Sequence, residues 1–182
     1  TCTWNTNYKI AFLSGDIKRD KETYVTKPVS REDLRSPLRN FFVLTGEGDV
    51  FSLLDRETDE AAYVEIGQLW HKLVNRSQRL GLECEVLNFI PVSTGDVELM
   101  RVRIKNCSEK IIEIVPTGCV PMFGRALSNK HDHEHVTSLL HRTAQVPEGI
   151  IISPTMVFNE RGHLQTGTRY FCLGVEADGT LP

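Results

Sequence analysis

Glu98-Leu99-Met100-Arg101-Val102-Arg103-Ile104-Lys105 is the stretch that decides the fold class. Met100, Val102 and Ile104 alternate with Leu99, Arg101, Arg103 and Lys105. Successive side chains of a strand point to opposite faces, so this period of two predicts a strand with an apolar face and a basic row opposite. Asn106-Cys107-Ser108-Glu109 breaks the pattern with turn-forming residues, and Lys110 to Val115 resumes it. Two such runs across a short polar break predict a β-hairpin. Upstream, Glu83 to Pro91 is another apolar strand, ended by Ser93-Thr94-Gly95-Asp96. Three strands in meander order, with one polar face, predict a large antiparallel sheet.

The rest of the chain extends this pattern. Phe41 to Leu44 and Val50 to Leu54 flank Gly46-Glu47-Gly48-Asp49 and read as a hairpin. Ala62 to Ile66 and Gln68 to Val74 read as two strands around Gly67. Tyr8 to Leu13, Ile150 to Phe158 and Arg169 to Val175 are further strand candidates. Ser14 to Arg39 is polar, contains Pro28 and Pro37, and shows no sustained period. Its one helical signal is a single turn at Ser30-Arg31-Glu32-Asp33-Leu34, with Ser30 as cap. Strands about every 8 to 12 residues with turn signals between them predict an all-β antiparallel sandwich.

At 182 residues the chain is one large domain or a piece of one. Its 40% hydrophobic and 25% charged residues are ordinary for a soluble globular protein. A net charge of -3 gives no case for nucleic acid or an anionic membrane. No segment approaches the roughly 18 unbroken apolar residues of a membrane helix. No basic stretch followed by an apolar run opens the chain, so a cytoplasmic location is expected. Cys2, Cys84, Cys107, Cys119 and Cys172 are scattered and form no close pair, which fits reduced thiols packed as small hydrophobes. Thr1 and Asp178-Gly179-Thr180-Leu181-Pro182 read as cut ends of a longer protein.

Several motifs then combine. Phe89-Ile90-Pro91-Val92 is followed by Asp96-Val97-Glu98 and by Arg101-Val102-Arg103-Ile104-Lys105-Asn106. Further on come Met122-Phe123-Gly124-Arg125, the charged run Asp132 to Arg142, and Phe158-Asn159-Glu160-Arg161-Gly162-His163. This series resembles the N-terminal β-sandwich domain of the glycoside phosphorylases related to cellobiose phosphorylase. The likeness covers about residues 35 to 180.

The resemblance implies a supersandwich of the galactose-mutarotase-like type, here a truncated fragment. Residues 1–40 would be an N-terminal strand and irregular segment, and 41–182 the sandwich. The catalytic (α/α)6 barrel of such enzymes is not in this sequence. The parent would be an inverting β-glucoside phosphorylase acting as a homodimer. Phosphate would attack the anomeric carbon while an acid in the barrel protonates the leaving oxygen. No metal or organic cofactor is implied, and inorganic phosphate is a substrate. In such enzymes a loop of this domain reaches the partner's sugar site with an arginine. Arg161, followed by His163, is the approximate match, and Arg125 of the second motif joins the substrate-binding candidates.

The residues themselves support several readings. Asn159-Glu160-Arg161-Gly162-His163 lies between strands and has a glycine for a tight turn. It could present Arg161 and His163 to an anionic or sugar-phosphate ligand, or be a plain hairpin connection. His131, His133 and His135 would share one face of an extended segment. Three imidazoles can hold zinc, although such a polar loop serves equally for hydrogen bonding. Trp4, Tyr63, Trp70 and Tyr170 could stack on sugar rings, and Trp70 is the best candidate for a partly exposed ring. Glu83 and Glu85 lie side by side on one strand, whereas glycoside hydrolysis needs carboxylates facing each other across the bond. A non-catalytic carbohydrate-binding or dimerisation module is therefore a second expectation. A histidine-bound metal enzyme is a third.

Overall fold

A computed structural model describes residues 2–4, 10–13, 16–17, 23–26, 40–53, 63–92, 97–120, 122–126, 141–154, 156–159, 162–165 and 167–181. Its strands are β1 (Cys2–Trp4), β2 (Ile10–Leu13), β3 (Asp16–Ile17), β4 (Thr23–Thr26), β5 (Asn40–Thr45) and β6 (Val50–Ser52). They continue with β7 (Tyr63–Gly67), β8 (Trp70–Ser77), β9 (Leu82–Phe89), β10 (Leu99–Asn106), β11 (Ile114–Cys119) and β12 (Met122–Ala126). The last are β13 (His141–Val146), β14 (Gly149–Pro154), β15 (Met156–Asn159), β16 (Gly162–Gln165) and β17 (Tyr170–Leu173). The described strand pairings are all antiparallel. No helix occurs among the described residues, so none there is long and apolar enough to cross a membrane. The chain divides into two compact units, Thr1–Gly15 with Val29–Pro121, and Asp16–Pro28 with Met122–Pro182.

In the first unit, β10-β9-β8-β7 form a four-stranded meander and β11-β5-β6 a three-stranded sheet. β1 pairs with β2, and β2 lies against β8 and β9. The period-two pattern is expressed as expected. Leu82, Cys84, Val86 and Asn88 of β9 are buried, while Glu83, Glu85, Leu87 and Phe89 between them are only half-buried. Met100, Val102 and Ile104 face inward but remain half-buried, and Arg101, Arg103 and Lys105 are exposed. Incomplete burial follows from position, because β10 is an edge of this sheet.

The two sheets share one core. Phe41, Val43, Phe51 and Leu53 come from the three-stranded side, and Leu73, Leu82, Cys84 and Val86 from the meander. Ile112 and Ile114 pack against the same cluster. Burying each such aliphatic side chain contributes about 1.5–3 kcal/mol. Asn75, 1% exposed, ties the sheets together by donating from Nδ2 to the main-chain oxygens of Leu53 (3.2 Å) and Ser52 (3.4 Å).

The hairpin anticipated between Glu98–Lys105 and Lys110–Val115 does not form. β10 pairs with β9, and the next strand begins at Ile114 and pairs with β5 in the other sheet. Local hydrogen bonds explain the departure. Asn106 Oδ1 accepts from the Ser108 amide (2.9 Å) and hydroxyl (2.8 Å), and its Nδ2 donates to the Lys110 carbonyl (2.6 Å). The Cys107 amide donates to the Gly81 carbonyl at 2.7 Å. This tight turn leads the chain off the meander. The Gly46 amide then meets the Glu113 carbonyl at 2.9 Å, and Ile112 and Ile114 enter the core. Pro116 is accommodated because β11 is an edge strand, where a missing amide proton breaks no ladder bond.

The other strand expectations hold in part: the run Ile150 to Phe158, expected as one strand, is divided between β14 and β15, which belong to different sheets. Asn40–Thr45 pairs with Val50–Ser52 across the Gly46–Asp49 turn, and β7 pairs with β8. The polar stretch 14–39 departs from expectation, since it contains β3 and β4. The possible helical turn at Ser30–Leu34 lies outside the described residues.

The second unit contains the sheets β12-β4-β3 and β13-β14-β17 and the pair β15-β16. Gly149 closes the β13–β14 turn at φ 149°. A Cβ there would stand 2.2 Å from the Cys172 carbonyl oxygen, so only glycine lets β17 approach. Ile150, Phe171 and Leu173 of the β13-β14-β17 sheet remain exposed.

Two predictions rest on the shared core. Leu82→Ala should lower unfolding free energy by about 2–5 kcal/mol, against less than about 0.5 kcal/mol for Arg103→Ala, read by urea denaturation. Burial, more than the nearby Glu85 charge, pushes the Cys84 thiol from 9.0 up to about 12. The unfolded chain therefore loses this proton first as pH rises. The thiol's contribution is complete below about pH 9 and declines toward pH 12, by at most about 1.4 kcal/mol per pH unit. Cys84→Ala should flatten that part of the alkaline stability profile; an unchanged slope would contradict it.

Candidate functional site

Register alone builds a compact surface on the outer side of the meander. Gly67 pairs with Trp70, Trp70 with Phe89, and Phe89 with Leu99, so these four residues form one row across all four strands. The next row is Glu65, Lys72, Leu87 and Arg101. The third is Tyr63, Val74, Glu85 and Arg103. Arg76, Glu83 and Lys105 follow.

Trp70 is placed by a glycine. A Cβ on Gly67 would fall 2.0 Å from Trp70 Nε1 and 2.3 Å from Cε2, so the indole lies directly over the Gly67 backbone. Aromatic cover of a strand glycine pins the register of a hairpin. The two-residue turn between them holds Leu69 at φ 65°, a left-handed conformation uncommon for a leucine. The Leu69 carbonyl accepts from the Ile90 amide at 3.0 Å, which helps anchor the turn. Beyond Trp70 the row opens outward, with Phe89 half-buried and Leu99 42% exposed.

Charge is arranged in stripes beside this row. Lys72 pairs with Glu65 and lies 5.6 Å from the Tyr63 ring centroid. The hydrogen bond that Lys72 donates to the Glu65 carboxylate is the main reason its ammonium titrates above its usual range. Glu85 Oε1 serves two guanidinium groups, Arg101 at 3.5 Å and Arg103 at 3.7 Å. Such exposed pairs add little stability individually. They hold the long side chains over the sheet, next to the aromatic row. The surface thus offers apolar ring faces and multi-donor cations. Glu83 and Glu85 point the same way along one strand, which is not the opposed pair that acid–base glycoside cleavage requires.

Behind this surface sits a polar layer that sequence reasoning missed. His71 is 2% exposed and its Nε2 lies 2.9 Å from Asn88 Nδ2, the residue directly opposite on β9. Asn75 and Ser77 are equally buried. Their signal was the same period of two: residues 71, 73, 75 and 77 share the face of core Leu73.

The sequence-derived candidates separate. Trp70 and Tyr63 share the outer face of the first unit. Arg125 is in β12, pairing with Tyr24, and His163 is in β16, pairing with Phe158; both belong to the second unit. Asn159 pairs with Gly162, and Arg161 lies outside the described residues. His131, His133 and His135 also lie outside them, and no potential metal cluster occurs among the residues that are described. Tyr170 is buried in β17. Cys84, Cys107, Cys119 and Cys172 are free thiols. Set against known proteins, the chain matches no family model and no curated sequence.

Gly67→Ala should displace the Trp70 ring, cost about 1–3 kcal/mol through overpacking, and shift tryptophan emission to the red in a Trp4→Phe background. Unchanged emission would mean the indole does not depend on Gly67.

Proposed function

We propose that this chain is a carbohydrate-binding, non-catalytic domain of a larger carbohydrate-active enzyme. The supporting observation is the aligned row of Trp70, Phe89 and Leu99 on one sheet face, the first two half-buried and Leu99 exposed, with Lys72 and Arg101 in the next row and Tyr63 and Arg103 in the one after. Aromatic and apolar side chains present ring faces that match the apolar faces of sugars, while charged donors at their side fix hydroxyl or acid oxygens. A sheet holds those groups more precisely than a loop does.

The finer reading extends the fold to a β-sandwich of the supersandwich type. The parent would be an inverting β-glucoside phosphorylase whose barrel supplies the acid and the phosphate site. That part rests on the motif resemblance alone. In such a homodimer, Arg161, His163 and Arg125 would contribute from the second unit to sugar binding. No metal or organic cofactor is needed in this scheme.

The chain by itself should release no glucose 1-phosphate from any β-glucoside in phosphate buffer. It should instead bind short glycans saturably, with a change in Trp70 emission. Trp70→Ala should weaken that binding roughly two- to tenfold, the worth of one ring contact at about 0.5–1.5 kcal/mol. Turnover by the pure chain would place the catalytic groups in it. A glycan panel with no binder would remove the carbohydrate reading.

A further inference from the structure

We infer that the glycan suited to this face is acidic, a uronate-type oligosaccharide. Its carboxylates would run along Arg101, Arg103 and Lys105 of β10 while one sugar ring meets Trp70, Phe89 and Leu99. This inference rests on the carbohydrate-binding reading and names its substrate class.

Charge on the outer face is the first observation. Lys72, Arg76, Arg101, Arg103 and Lys105 stand against Glu65, Glu83 and Glu85, so cations outnumber carboxylates by two. The whole chain is net -3, which makes this face a local positive island rather than a sample of the average surface. Geometry is the second. Arg101, Arg103 and Lys105 are alternate residues of one strand, so their Cα atoms step by about 6.8 Å in a straight line. A linear polymer with repeating acid groups can follow that line; a single small anion would use only part of it.

The third observation is how loosely the arginines are held. Both turn to one carboxylate oxygen at 3.5 and 3.7 Å, and their side chains are 55% and 65% exposed. Each guanidinium has five N–H donors, far more than a shared Glu85 can occupy. A carboxylate from solvent can be gripped by two parallel N–H bonds without dismantling that contact. A neutral sugar laid on the same row would cover these charges and return no counter-charge. Finally, the row ends in Leu99, beside Phe89 and Trp70, so ring contact and charge contact are continuous on one surface. A simple polyanion such as an acidic peptide or nucleic acid strand would use the charges but has no sugar ring for that end.

Titration calorimetry of the full 182-residue chain tests this with three probes: a galacturonic acid tetramer, cellotetraose and a tetraglutamate peptide. The uronate tetramer should bind at least about tenfold more tightly than either other probe, and more weakly as salt is added. Arg101→Gln and Arg103→Gln should each weaken it roughly tenfold, the worth of one charge-assisted hydrogen bond. Their melting temperatures should stay at the wild-type value, which separates lost binding from lost folding. Lys105→Gln gives an independent probe of the same row. Cellotetraose bound as tightly as the uronate overturns the acidic assignment and leaves the carbohydrate reading standing. Tetraglutamate bound as tightly reduces the face to non-specific anion attraction and overturns it too. Full uronate affinity in all three variants would place the ligand elsewhere. Binding of none of the probes would overturn the inference together with the reading beneath it.

Discussion

The first unit depends on one apolar layer shared by two sheets. Val43, Phe41 and Phe51 from one side meet Leu73, Leu82, Cys84 and Val86 from the other. Neither sheet can bury its apolar face alone, so each is the other's solvent shield. Asn75 adds direction to that contact. Its bonds to the Ser52 and Leu53 carbonyls fix how one sheet lies over the other, since a slip would strand polar groups in the core. The buried His71–Asn88 pair acts similarly within the meander, because a one-residue shift would turn both outward and bring Trp70 and Phe89 in.

That commitment of the inner face determines what the outer face can be. Once Leu73, Val86 and Val102 point inward, Lys72, Leu87 and Arg101 must point outward, whatever their chemistry. The outer rows therefore inherit their alignment from the core. Trp70 opposes Phe89 because Leu73 opposes Val86 three residues away in register. The proposed binding surface is in this sense a by-product of core packing, held rigid by it. Only the far end is adjusted locally, where Gly67 makes room for the indole and Leu69 takes a left-handed turn.

Much of this was legible in the residues. Alternation at 98–105 and the Gly46–Asp49 turn are local signals, and local signals survive folding. The partner of Ile114–Cys119 was not legible. It pairs with Asn40–Thr45, far away in sequence, and periodicity says nothing about which distant edge a strand will join. β13 was missed for a different reason: His141-Arg142-Thr143-Ala144-Gln145-Val146 is largely exposed, so it carries no apolar alternation to read. The buried histidine and asparagines were hidden because polarity was taken to mark the outer face. Here two strands place polar residues on the core side and Trp70, Val74 and Leu87 on the other. Trp70 was singled out from composition and spacing, but its companions Phe89 and Leu99 emerge only from register.

The most direct test of the account is a backbone amide chemical-shift map of the isotope-labelled chain titrated with a galacturonic acid tetramer. The account predicts that the largest shifts cluster at Trp70, Lys72, Phe89, Leu99, Arg101 and Arg103, one contiguous patch on the outer face of the meander. Shifts concentrated on β13, β14 and β17, or scattered without a patch, would contradict it.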